Sequence, residues 1–119
     1  MAAVEDGAIL IDIRPLEQRE RDGLVPGAHV VARNVLEWRL DPCGAYRDPA
    51  LARLDRLVIL ICDEGYQSSL AAATVSGFGL KAGDVIGGVQ EWRREGLRLQ
   101  RGTGASAWRR ERAGAPALR

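Results

Sequence analysis

Four aliphatic residues, Val58-Ile59-Leu60-Ile61, run without interruption into Cys62 and then into D-E-G-Y-Q-S-S-L-A-A-A. A strand with one wet face alternates apolar and polar side chains. An unbroken aliphatic and β-branched run instead predicts a strand buried on both faces, which demands covering layers above and below. Ser68 or Ser69, ahead of the leucine and alanines, has the chemistry of a helix N-cap. Between strand and helix the chain must curl tightly, and Gly65 supplies the permissive backbone for that turn. Such a loop aims several N–H groups inward, toward the strand end where the Cys62 thiol sits. Amides and a helix N-terminus at that point favour a thiolate. Two readings follow from this order of elements: a nucleophile in an anion-binding cradle, or a small buried hydrophobe that ends a core strand.

The rest of the chain repeats the strand–helix rhythm. Ala8 to Ile13 reads as a buried strand that stops at Arg14-Pro15, where a charged helix, L-E-Q-R-E-R-D, begins and Gly23 ends it. Pro26-Gly27 marks a turn before a short strand near Val30. Asn34 caps one helical turn through V-L-E-W-R, and Asp48-Pro49 opens a helix carrying Leu51 and Leu54. The helix after Cys62 runs to Gly77 or Gly79, followed by a strand at Asp84-Val85-Ile86, a turn at Gly87-Gly88 and a helix over V-Q-E-W-R-R-E-G. Short aliphatic strands alternating with helices predict an α/β domain, with a mainly parallel sheet flanked by helices on both faces. Sites in such sheets lie at the carboxyl ends of the strands, where Cys62 falls.

Composition narrows the function. A chain of 119 residues has the size of one domain, and 46% hydrophobic with 28% charged residues is ordinary for a globular protein. A formal net charge of +1 gives nucleic acid no electrostatic footing. No apolar run reaches membrane-spanning length, and M-A-A-V-E-D-G lacks a basic start and an apolar signal core, so a cytoplasmic location is expected. The two cysteines, Cys43 and Cys62, and the single histidine, His29, have no zinc-like spacing, so no metal is expected. In a reducing cytosol both thiols are free. From about Gln100 the apolar pattern fails. The domain is therefore read as residues 1–100, with residues 101–119 as a flexible tail rich in arginine, glycine and alanine.

D-I-R at Asp12–Arg14, L-V-P-G-A at Leu24–Ala28, C-D-E-G-Y-Q-S at Cys62–Ser68 and G-G-V-Q-E-W at Gly87–Trp92 occur in order. This set resembles the single-domain rhodanese-like sulfurtransferases over residues 7–99. The resemblance implies an α/β fold with a parallel sheet of about five strands. It also implies that Cys62 carries a sulfane sulfur as a persulfide between a donor, thiosulfate or a persulfide, and a thiol or cyanide-type acceptor, which in some cases is a protein. It implies a backbone cradle formed by Asp63, Glu64, Gly65, Tyr66, Gln67 and Ser68, with no cofactor. Residue chemistry agrees, because the amides that favour a thiolate also hold a persulfide anion. Arg33 and Trp38 follow the P-G-A strand in a region that borders the pocket in this family. Arg33 is a candidate anion clamp. Trp38 and Trp92 are read first as packing residues, with Trp38 or Tyr66 as a pocket wall. Cys43 is a weaker candidate for a resolving thiol.

The chain departs from the family pattern at the loop. Many thiosulfate-using members carry arginine or lysine directly after the cysteine, where this chain has Asp63 and Glu64. If they face solvent, only their backbone matters; if they face the pocket, two carboxylates at the mouth would repel dianionic thiosulfate by about 1 kcal/mol each and oppose the thiolate. A protein persulfide, or a small cationic one, then becomes a candidate donor. Phosphatases of related fold use a longer H-C-x-x-x-x-x-R loop; here Ile61 precedes the cysteine and Ser68 holds the arginine position. A non-catalytic module for protein binding or redox sensing is the alternative from another class.

Overall fold

The computed structural model describes residues 7–101. Its elements, in chain order, are β1 (Ile9–Asp12), α1 (Leu16–Asp22), β2 (His29–Val30), a 3₁₀ turn (Arg33–Val35), α2 (Leu36–Leu40), β3 (Leu57–Ile61), α3 (Tyr66–Ser76), β4 (Lys81–Asp84) and α4 (Gly88–Arg94). The four strands lie in the order β2-β1-β3-β4, and every pairing is parallel. Among the described residues there is thus one strand fewer than the resemblance implies. Residues 1–6 lie outside the described part.

β3 sits between β1 and β4 and explains its own composition. Val58 and Leu60 enter a core cluster with Leu36, Leu40, Ala71 and Val75, from α2 and α3 on one face. Ile59 and Ile61 point the other way, into a cluster with Val25, Val85, Val89 and Trp92, the last two from α4. Successive residues of one strand therefore fill two cores, which leaves no position for a polar side chain. Trp92 is fully buried and its indole N–H donates to the Arg98 carbonyl at 3.0 Å.

Three local expectations need correction. Asp48 does cap a turn, its carboxylate accepting the Ala50 N–H at 2.9 Å, but no helix follows. Leu51 is buried whereas Leu54 is exposed, so the segment has no apolar stripe to offset the cost of helix nucleation. The fourth strand begins earlier than its apolar residues indicate, at Lys81, and pairs Asp84 with Leu60. α3 begins at Tyr66, not after Ser68 or Ser69; Gly65 occupies the N-cap with φ of 97°. At the other end, Gln100 pairs with Leu24 in an antiparallel bridge, so the fold holds the chain up to that point. The tail expected from residue 101 lies, from residue 102 onward, outside the described residues.

Candidate active site

The carboxyl ends of β1 and β3 meet at one rim, and each carries a fixed device there. On β1, Asp12 and Arg14 form a buried ion pair: Arg14 Nε and Nη2 reach the carboxylate at 3.0 and 2.7 Å. Arg14 Nη2 also donates to the Gly23 carbonyl at 2.8 Å, tying the strand end to the end of α1. On β3, the chain turns at Cys62 and enters α3 within four residues of it.

The left-handed Gly65 closes this turn so that the helix start faces back onto the sulfur. The Gly65 N–H donates to Cys62 Sγ at 3.1 Å and the Ser68 N–H at 3.2 Å. First-turn amides of a helix have no intrahelical acceptor, and here a sulfur atom takes that place. Ser68 is a first-turn residue rather than the cap, and its Oγ accepts from the Cys62 thiol at 3.3 Å. Once the thiol ionises, the hydroxyl can turn and donate to it. Behind Ser68 lies the buried Asp84 carboxylate, with Oδ2 accepting from the hydroxyl at 3.5 Å. Sequence reading missed Asp84, because a carboxylate beside Val85 looked like the start of a strand rather than its buried end.

The Gly87-Gly88 pair holds the loop from behind. Val89 N–H donates to the Cys62 carbonyl at 2.9 Å and Gln90 N–H to the Asp63 carbonyl at 3.0 Å. Gly88 has φ of 62°, and a Cβ on it would lie 2.7 Å from the Asp63 carbonyl oxygen and closer to that of Cys62. Glycine is thus required by backbone approach as well as by conformation.

The Asp63 carboxylate turns toward α1 and α4. It accepts from Arg21 Nη2 and from Gln90 Nε2, both at 2.8 Å. Asp22 joins the same cluster through Arg21, Gln90 and Arg93. The hydrogen bond from Arg21 holds the Asp22 carboxyl below its usual range. The expectation of two uncompensated carboxylates at the mouth is therefore corrected: Asp63 is charge-paired, and Glu64 is the exposed one.

A cavity of about 520 Å³ opens beside Cys62. Arg33, Asp63, Glu64, Tyr66 and Gln67 line it, together with Ile13, Arg14, Pro15, Gln18 and Asn34. Trp38 does not. It is 67% exposed, with its ring 6.2 Å from that of Tyr46, and lines a separate hollow with Tyr46 and Phe78. Neither the pocket role nor the packing role expected of Trp38 holds, because α2 turns Leu36 and Leu40 into the core and leaves Trp38 outward. Cys43 is exposed in the loop after α2, while Cys62 is buried, and both are free thiols. His29 is half-buried on β2 and lines a different hollow, with Asp48 and Leu51. Among the described residues, no cluster of three or more His, Cys, Asp or Glu side chains is arranged to hold a metal ion. No helix there is long and apolar enough to cross a membrane.

Similar architecture occurs in solved structures. A Rhodopseudomonas palustris protein of unknown function, described as a possible tyrosine phosphatase, is 34% identical with a TM-score of 0.74, covering 83% of this chain and 77% of that one. A rhodanese homologue from Thermus thermophilus is 26% identical with a TM-score of 0.55, covering 75% of this chain and 87% of that one. A rhodanese-related protein from Thermoplasma volcanium is 23% identical with a TM-score of 0.62, over 77% and 82% of the two chains. No curated protein matches the chain. A model of the rhodanese-like domain family matches residues 1–95, so nearly all of the described fold, with the Cys62 loop at its centre, belongs to the rhodanese-like domain family.

Proposed function

We propose that this protein is a sulfurtransferase that moves a sulfane sulfur through a persulfide on Cys62. The observation that carries this reading is the convergence of the Gly65 and Ser68 N–H groups on one sulfur atom at 3.1 and 3.2 Å, with the Ser68 hydroxyl 3.3 Å away and able to donate once the thiol ionises. Donors directed at a single atom stabilise negative charge there, on the thiolate before transfer and on the terminal sulfur after it. In the first half-reaction the Cys62 thiolate attacks the outer sulfur of the donor. The donor S–S bond breaks, its remainder leaves as sulfite from thiosulfate or as a thiolate from a persulfide, and Cys62 holds the persulfide. In the second, a thiol or cyanide acceptor attacks that outer sulfur and restores the Cys62 thiolate. No net oxidation occurs in either half.

The description of the Rhodopseudomonas relative raises phosphoryl transfer as a second reading. That chemistry needs a loop wide enough for a tetrahedral oxyanion, with an arginine to clamp it. Here the residue six positions after the cysteine is Ser68, whose N–H and hydroxyl are both engaged with the sulfur. The geometry favours a one-atom cargo.

Intact-mass measurement tests the proposal. Incubation with thiosulfate or an organic persulfide should add one sulfur atom, removable by reductant or cyanide and missing in Cys62→Ser. If no donor loads the wild-type protein, catalysis is excluded and a binding module remains.

A further inference from the structure

The cavity beside Cys62 is much larger than the cradle at its end requires. Its volume of about 520 Å³ lies within the range of sites for organic ligands, roughly 300–1,000 Å³. A small inorganic dianion would leave most of it unfilled. Ile13, Pro15 and the Tyr66 ring give it apolar wall suited to a carbon frame, and Gln18 and Asn34 contribute amides.

Two arginines line that wall: Arg14 is committed to the Asp12 carboxylate, whereas the Arg33 guanidinium is used on one side only. Nη1 donates to Glu37 at 2.8 Å, whereas Nε is buried with no hydrogen-bond partner among the described residues. A buried N–H without an acceptor is unfavourable, and a carboxylate that reaches it recovers the loss. Arg14 shows what the same edge does when filled: its Nε and Nη2 grip the Asp12 carboxylate in a fork. The Arg33 side chain is 32% exposed, which leaves it room to turn that edge onto a ligand. Arg21 and Gln90 engage Asp63, so that carboxylate does not compete for Arg33 from within the cavity. Glu64, exposed at the rim, disfavours a compact dianion more than a ligand that sets its charge apart from the reacting sulfur.

We infer that the donor is an organic persulfide with a carboxylate on its carbon frame, the outer sulfur at Cys62 and the carboxylate on Arg33. This rests on the sulfur-transfer reading and specifies its substrate class. The donor's S–S bond breaks as the new one to Cys62 forms, and the product is the corresponding carboxylate-bearing thiol.

Matched donors test it. Initial rates of sulfur loading would be measured by intact mass with cysteine persulfide against cysteamine persulfide, which lacks only the carboxylate. Glutathione persulfide against its diester forms a longer pair, and thiosulfate is the inorganic comparison. In at least one pair the carboxylate donor should be favoured about tenfold in kcat/KM, mainly through KM, and it should exceed thiosulfate. Arg33→Gln should bring the ratio close to one and Arg33→Lys should keep part of it. Equal rates within both pairs, an unchanged ratio in Arg33→Gln, or thiosulfate as the best donor would overturn the assignment while leaving sulfur transfer in place. Failure of every donor would remove both. The wild-type comparison stands even if an Arg33 variant does not fold.

Discussion

At Cys62 the sulfur is met by backbone N–H groups and a serine rather than by a histidine. The only histidine is on β2 in a different hollow, so the sulfur depends on Gly65, Ser68 and the turn between them. Ser68 gives two kinds of donor, and they can be separated by mutation. Ser68→Ala keeps the N–H at 3.2 Å and removes the hydroxyl at 3.3 Å. Loss of one hydrogen bond to a charged group should lower the rate of Cys62 loading about tenfold with the fold intact, checked by intact mass alongside circular dichroism. The same residue shows where sequence reading stops. The serine was visible as a loop donor, but its contact with Asp84 depends on a carboxylate that only the strand register brings beneath the loop.

Between elements, the loop is held by what packs behind it. The N-terminus of α4 supplies N–H groups to the carbonyls of Cys62 and Asp63, and Gly88 is what lets it come that close. Gly88→Ala should destabilise the protein by about 2 kcal/mol or more, from a left-handed alanine and a clash with backbone. A urea titration would read this as a lower midpoint, and loading of Cys62 should fall with it. The order of elements was legible because glycines and aliphatic runs mark strand ends and turns by local chemistry. The ion cluster at Asp63 was not, since Arg21 stands 42 residues from it in sequence and Gln90 stands 27. Nor was the failed helix after Asp48, where a correct capping residue had no second buried leucine to support it. Trp38 misled for a related reason: a large aromatic ring favours burial on average, but α2 had already spent its inner face on Leu36 and Leu40.

Over the whole molecule, stability should rise from acid toward neutrality in two steps. Burial pushes the His29 imidazole below its usual value, against a smaller upward pull from Asp48. The unfolded chain then binds the proton more readily, so this contribution is complete above about pH 6.5 and is lost as pH falls through the depressed folded value. The Asp22 carboxyl is lowered chiefly by its hydrogen bond from Arg21, which adds a second loss below about pH 4. Denaturant titrations at pH 7.5 and 5.5 should show the first step, and His29→Gln should flatten it.

The strand order has a temporal consequence. β1 and β3 are neighbours in the sheet although α1, β2 and α2 intervene between them in sequence, and the Cys62 loop is held from behind by α4, which comes later still. Pairings this distant in sequence form slowly. In a nascent or partly unfolded chain the Cys62 sulfur therefore lacks its Gly65 and Ser68 partners and lies open to oxidants, and it is buried and held only as the sheet closes and α4 seats.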